Sequence, residues 1–185
     1  MKKVIVVLLA FWAVAAYATD LNPVANNNCG AGSINTDPST TEGESEFTQI
    51  YDNLSVKIGD AEMWKINTDD NTWWGSGGLP ERDWPYLMVK FVKPGGYDSG
   101  TVNWRVTGMT DADVYAYRWN KNPTPHEWDY MNKNDGVSGD PVQQPPTKTY
   151  AIPASYFDAN GVLWLLFKVD QTTQHINADV VDIHW

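Results

Sequence analysis

Alternating apolar and polar residues between positions 101 and 131 predict three neighbouring β-strands. In Thr101–Thr107 the even-numbered residues are Val, Trp and Val and the others are polar, the period-two pattern of a strand with one buried face. Asp113–Trp119 is apolar on both faces, which is typical of a strand in the middle of a sheet. After a loop with two prolines, Glu127–Met131 is expected to return beside it. This aromatic meander needs a second sheet to cover it.

Clusters of Gly, Pro, Asn and Asp divide the rest of the chain into further short strands. Val162–Val169 is apolar almost throughout, and Asn160-Gly161 before it favours a tight turn. Many short strands with regular turn signals indicate a β-sandwich or barrel, and no long segment has a helical period. The other predicted strands are Phe47–Tyr51, Leu54–Ile58, Glu62–Asn67, Tyr86–Val92, Lys148–Ile152 and Ala178–Trp185.

The pattern therefore predicts an all-β fold, an antiparallel jelly-roll β-sandwich whose body is Phe47–Trp185. About 140 residues suit one domain with a sizeable core. The residues expected in that core are Trp104, Val106, Val114, Trp119, Trp164, Leu165 and Phe167.

The first 46 residues have a different character. Residues 1–18 combine two lysines, an apolar run and an Ala-Tyr-Ala end, which predicts a cleaved secretory leader and a secreted, extracellular or cell-surface protein. The alternative is a retained N-terminal anchor. If the leader is cleaved, no membrane span remains, because no later segment is long and apolar enough. Residues 19–46 are polar and lack periodicity, which indicates a flexible or extended arm.

Charge and cysteine content narrow the classes of partner. The chain has 13 basic and 23 acidic residues, and removal of the leader changes its net charge from −10 to −12. Nucleic acid is therefore a poor partner, because phosphate contacts need clustered Lys and Arg. Cys29 is the only cysteine, so an intramolecular disulfide is impossible and a free thiol or an intermolecular bond remains.

A loop rich in tryptophan and glycine, residues 68–86, is the candidate binding site. Large rings in a glycine-rich loop can present a face to solvent, where the C–H face of a sugar stacks while nearby polar groups bind its hydroxyls. The competing interpretation is that these rings plug the end of the sandwich. The predicted carbohydrate-binding residues are Trp73, Trp74, Trp84, Asp70, Glu81 and Arg82.

Trp128 and Tyr130 alternate with acids on a predicted edge strand. They are candidates for a second sugar-stacking surface, and core packing is the alternative. Catalysis has weaker support. Motifs of serine hydrolases, zinc peptidases and phosphate-binding loops are absent, and only Glu62 and Glu127 among the mature glutamates fall on predicted strands.

Three segments carry a resemblance to a known group of folds. They are Asp113–Asn120 with Trp128 after it, Ile152–Leu165, and the closing strand Asp179–Ile183. In strand order and spacing they resemble the galactose-binding-like and carbohydrate-binding-module jelly rolls of microbial secreted proteins. The resemblance implies a sugar site in loops or on a concave face, and a structural Ca²⁺ near the terminal strands. Its implied ligands are Asp179 and Asp182 with Glu44 or Glu46, since hard cations prefer carboxylate oxygens.

The sequence thus leaves three functions in order. The first is a secreted non-catalytic module that binds polysaccharide or glycan. The second is a self-assembling subunit of a filament or surface layer, in which the arm adds a strand to a neighbouring copy and inserts Val24 and Ile34. The third is a small secreted glycosidase.

Overall fold

The computed structural model describes residues 20–25, 28–67, 69–79, 83–96, 99–108, 112–121, 125–135, 146–171 and 175–185. The helices in these ranges are α1 (Glu44–Asp52) and α2 (Asp60–Met63), with 3-10 turns at Trp64–Ile66 and Ala154–Tyr156. The strands are β1 (Asp20–Leu21), β2 (Cys29–Ile34), β3 (Val56–Lys57), β4 (Trp74–Gly75), β5 (Trp84–Val92), β6 (Ser99–Thr107), β7 (Val114–Asn120), β8 (Glu127–Asn134), β9 (Lys148–Pro153), β10 (Val162–Val169) and β11 (Asn177–His184).

The strands form two antiparallel sheets with jelly-roll order. Sheet A runs β4-β11-β6-β9, with β1 pairing farther along the same edge of β11, and sheet B runs β3-β2-β5-β10-β7-β8. From β4 onward each successive strand changes sheet, except within the β7–β8 hairpin, so the two sheets close over one core. The predicted all-β jelly-roll sandwich is confirmed.

Two apolar clusters stabilise this arrangement. The main core lies between the sheets and includes Trp104, Val106, Val114, Leu165 and Phe167, all fully buried as predicted. The second cluster lies on the outer face of sheet B, beneath α1. It contains the other two predicted core residues, which are buried there rather than between the sheets: Trp119 and Trp164.

Helix α1 occupies the place of the predicted strand Phe47–Tyr51, so that prediction was wrong. Phe47, Ile50, Tyr51 and Leu54 have the i, i+3, i+4, i+7 spacing of one helical face, and this face packs against sheet B. The short apolar run had been interpreted with a period of two. A helix satisfies its own backbone hydrogen bonds, so it can cover the sheet without pairing as a further strand.

The predicted strand Glu62–Asn67 is also helical. It forms α2 and the following 3-10 turn, which bury Met63 and Ile66, three residues apart. The predicted strand Leu54–Ile58 shortens to the two residues of β3.

The predicted arm is part of the fold over residues 28–46. Cys29–Ile34 forms β2 between β3 and β5, and Ile34 fills this chain's own outer core rather than a neighbour's sheet. Small residues allow this close packing. A Cβ at Gly30 would lie 2.6 Å from the Val56 carbonyl oxygen, and one at Gly32 would clash with the Tyr86 hydroxyl. The domain boundary expected at residue 46 therefore falls inside the folded body, while residues 1–18 lie outside the described ranges.

Cys29 is fully buried, and burial raises the pKa of its thiol. Among the helices that the structure describes, none has the length and apolarity required to cross a membrane.

Candidate functional site

The three loop tryptophans have different environments. Trp74 is only 2% exposed and belongs to the core, because β4 pairs with β11 and turns this ring inward. Trp73 and Trp84 are half-buried. Asp70 is exposed and accepts a hydrogen bond from the Thr72 backbone N–H at 2.8 Å, the geometry of a turn. The remaining two predicted residues of this site, Glu81 and Arg82, lie outside the described residues.

Trp73 is held against sheet A by an ion-pair cluster that the sequence did not predict. The Arg105 guanidinium, on β6, lies 5.3 Å from the centroid of the Trp73 ring. Its Nη2 donates to the buried carboxylate of Asp179, and lies 2.6 Å from Asp69 Oδ1 and 2.9 Å from Asn71 Oδ1. These contacts fix the loop, so one face of the ring is used for packing.

The second predicted surface divides between core and solvent. Trp128 is buried against Phe47 and Trp119, as the core-packing alternative required. Tyr130 is 55% exposed and its ring makes an edge contact with Tyr117, with centroids 5.8 Å apart. The two residues therefore do not form one stacking platform.

The structure does not bring the four predicted metal ligands together. Asp179 pairs with Arg105, and Glu46 pairs with Lys168 on the far side of sheet B. The other two acids bind elsewhere, Asp182 to the Asn103 amide at 2.9 Å and Glu44 to His126 Nδ1 at 2.8 Å. Within the described ranges, no three His, Cys, Asp or Glu side chains are placed to hold a metal ion. Each acid is satisfied by a cationic or amide partner instead.

A cleft of about 290 Å³ lies where the end of β7 meets the connection between β9 and β10. The rings of Trp119 and Trp164 reach it from the outer face of sheet B, and Tyr156 reaches it from the 3-10 turn. Sequence reasoning had placed the two tryptophans in the core and did not predict this cleft. The residues that line it are Trp119, Asn120, Lys121, Ser155, Tyr156, Phe157, Asp158, Val162 and Trp164.

Asp158 fixes the loop that forms one side of the cleft. Its Oδ1 accepts hydrogen bonds from the backbone N–H groups of Asn160 at 2.8 Å and Val162 at 2.9 Å, and its Oδ2 lies 3.0 Å from Lys121 Nζ. Burial alone would raise the pKa of this carboxyl, but the bonds from Val162, Lys121 and Asn160 outweigh it and lower the pKa. The carboxylate is therefore ionised at neutral pH and neutralised locally by Lys121.

Tyr156 is positioned by charged neighbours. The Arg118 guanidinium carbon lies 3.3 Å from the centroid of its ring, and Arg118 in turn pairs with Asp129. Asn120 Nδ2 donates to the same Asp129 carboxylate at 2.8 Å. The cleft thus combines aromatic rings in fixed positions with a few convergent polar groups, the arrangement typical of small-molecule sites.

The catalytic candidates named from the sequence lie elsewhere. Glu62 is on α2, not on a strand, and pairs with Lys65 at 3.1 Å, while Glu127 is an exposed residue at the start of β8.

Comparisons with known proteins place the chain at fold level. No family model matches the sequence, and no curated protein matches it. Solved structures similar in shape include the adhesin domain of Lys-gingipain from Porphyromonas gingivalis, at 14% identity and a TM-score of 0.37, covering 60% of this chain and 71% of that one. Carbohydrate-binding modules of the β-sandwich superfamily match at 12% identity and a TM-score of 0.38, covering 92% of this chain and 58% of that one.

A pectin-binding carbohydrate-binding module is also similar, at 11% identity and a TM-score of 0.35, covering 88% of this chain and 91% of that one. The likenesses are distant, so the fold assignment depends on the strand order of this chain itself. The chain is a jelly-roll β-sandwich similar in architecture to adhesin domains and carbohydrate-binding modules.

Proposed function

We propose that this chain is a non-catalytic module that binds carbohydrate in the cleft between β7 and the β9–β10 connection. The observation that carries the proposal is the cleft itself, in which Trp119, Tyr156 and Trp164 lie beside hydrogen-bonding side chains. A pyranose has an apolar C–H face that packs on aromatic rings and a rim of hydroxyls that needs donors and acceptors. Asn120 and Ser155 supply neutral groups of this kind.

Extracellular polysaccharide is the substrate class that fits the predicted leader at residues 1–18. The half-buried ring of Trp73, on sheet A, is a second place where a sugar would stack, as expected from the sequence. A competition between the two sites identifies the one that binds.

The test is a set of single variants assayed for binding to a panel of insoluble polysaccharides, with folding checked by circular dichroism and thermal unfolding. Ser155→Trp fills the cleft from an exposed position, and we expect it to lower affinity about tenfold or more, equivalent to at least about 1.4 kcal/mol. Trp64→Ala is the matched control, because Trp64 is 52% exposed and lies outside the cleft.

Trp73→Ala separates the alternatives. If it abolishes binding while Ser155→Trp binds normally, the site lies in the tryptophan loop and the cleft assignment is wrong. If the parent protein binds no member of the panel, the proposed function itself is wrong.

A further inference from the structure

Positive charge collects around the cleft, although the chain as a whole has a net charge of −10. Lys90 Nζ lies 5.4 Å from the centroid of the Trp164 ring, and Lys93 Nζ lies 5.6 Å from that of Phe157. Both rings line the cleft, and Lys121 lies at its edge. Three ammonium groups therefore border the same rings on which a sugar would stack.

The charge of Lys90 is not neutralised by a carboxylate among the described residues. Its Nζ lies 3.4 Å from the amide oxygen of Asn28 and over the Trp164 ring, both uncharged partners. Lys121 differs, because its ion pair with Asp158 is internal to the site. Lys90 is thus the ammonium best placed to attract an anionic group on a ligand, by a charge-assisted hydrogen bond.

The concave surface continues beyond the cleft through Tyr51. The Tyr51 ring contacts the Trp164 ring edge-on, with centroids 5.6 Å apart, and is 43% exposed. On its other side Tyr51 lines an open groove of about 480 Å³ with Asp52, Leu54 and Lys57. Aromatic and basic groups therefore follow one another from the cleft, across Tyr51, to Lys57.

We propose that this surface takes a segment of an anionic polysaccharide, with sugar rings in the cleft and on Tyr51 and with carboxylate or sulfate groups near Lys90 and Lys57. The inference rests on the proposed function and adds the charge and the polymeric nature of the ligand. A basic surface on a strongly acidic protein orients a polyanion toward this face, since the rest of the molecule repels it.

The experiment uses matched polymers that share a backbone and differ in charge. They are hydroxyethylcellulose and carboxymethylcellulose, dextran and dextran sulfate, and methyl-esterified and de-esterified polygalacturonan. Affinity electrophoresis and calorimetry compare the members of each pair at low and high salt. We expect tighter binding of the anionic member in at least one pair, weakened by salt. The pair that responds distinguishes carboxylate from sulfate recognition.

Two variants test the residues. Lys90→Met keeps the aliphatic stem on Trp164, and together with Lys57→Gln it should lower affinity for the anionic member about five- to tenfold, with no change for its neutral partner. Lys65→Gln removes the same charge from the turn beside α2 and should have no effect. Equal, salt-independent binding of neutral and anionic members overturns this inference but leaves carbohydrate binding intact. Binding of no polymer overturns both.

Discussion

Lys168 of β10 and Glu46 of α1 form an ion pair in which both side chains are fully buried. Lys168 Nζ also donates to the Thr40 carbonyl at 2.7 Å, and Glu46 Oε2 accepts from the Glu42 backbone N–H at 2.9 Å. The pair therefore ties α1 and the segment before it to sheet B. Because α1 carries Tyr51, the same pair helps to position the surface proposed to bind the polysaccharide.

We predict that Lys168→Met destabilises the protein by about 3–5 kcal/mol, because it leaves the Glu46 carboxylate buried without a counter-charge. Urea unfolding followed by tryptophan fluorescence measures the loss. Lys168→Met combined with Glu46→Leu should recover most of it, since no buried charge remains. Glu62→Gln at the exposed pair with Lys65 is the control and should cost at most about 0.5 kcal/mol. A Lys168→Met cost as small as that of the control would contradict the prediction.

The pH dependence of stability should contain a contribution from Asp182. Burial raises the pKa of this carboxyl and the charge of Asp20 adds to the effect, while the Asn103 hydrogen bond and His184 oppose it. A raised folded-state pKa favours the protonated form, so its contribution to stability is present below pH 3.8 and is lost as pH rises through the folded value. Asp182→Asn keeps an oxygen for Asn103 and cannot ionise.

The variant Asp182→Asn should therefore be at least as stable as the parent at pH 7, and its melting temperature should vary less with pH in that window. Asp37→Asn is a control of opposite sign. The pKa of Asp37 is lowered by hydrogen bonds from Ser39, so its contribution is present at neutral pH and lost on acidification. Thermal unfolding between pH 3 and pH 8 checks both, and a marked loss of stability in Asp182→Asn at pH 7 would refute the assignment.

Gly32 should not tolerate a side chain. A Cβ there would clash with the Tyr86 hydroxyl, which donates to the carbonyl oxygens of Ile50 at 3.1 Å and Asn53 at 3.0 Å. We expect Gly32→Ala to destabilise the protein by about 1–3 kcal/mol, the usual cost of overpacking. Gly95→Ala is the control, because nothing lies within 4 Å of its added Cβ and its φ is not in the left-handed region. Equal denaturation midpoints for the two variants would show that the helix shifts freely.

The predicted site illustrates what a linear pattern leaves open. Trp73 and Trp74 are adjacent, and alternation indicates only that their rings face opposite ways. The pairing of β4 with β11 decides that Trp74 enters the core, and the position of Arg105 on β6 decides what Trp73 packs against. Neither partner is near the loop in sequence.

The sequence by itself determined the sandwich, because one buried face imposes a period of two on β6 and full burial makes β10 apolar throughout. It also contained the spacing of α1 in Phe47, Ile50 and Leu54, a signal weakened by the shortness of the run. Only the tertiary structure decided that the small residues of β2 lie inside a sheet, since tight packing and a loose tether favour the same composition. The cleft was likewise decided by the fold, because it needs Trp119, Tyr156 and Trp164 to meet from β7, a turn and β10.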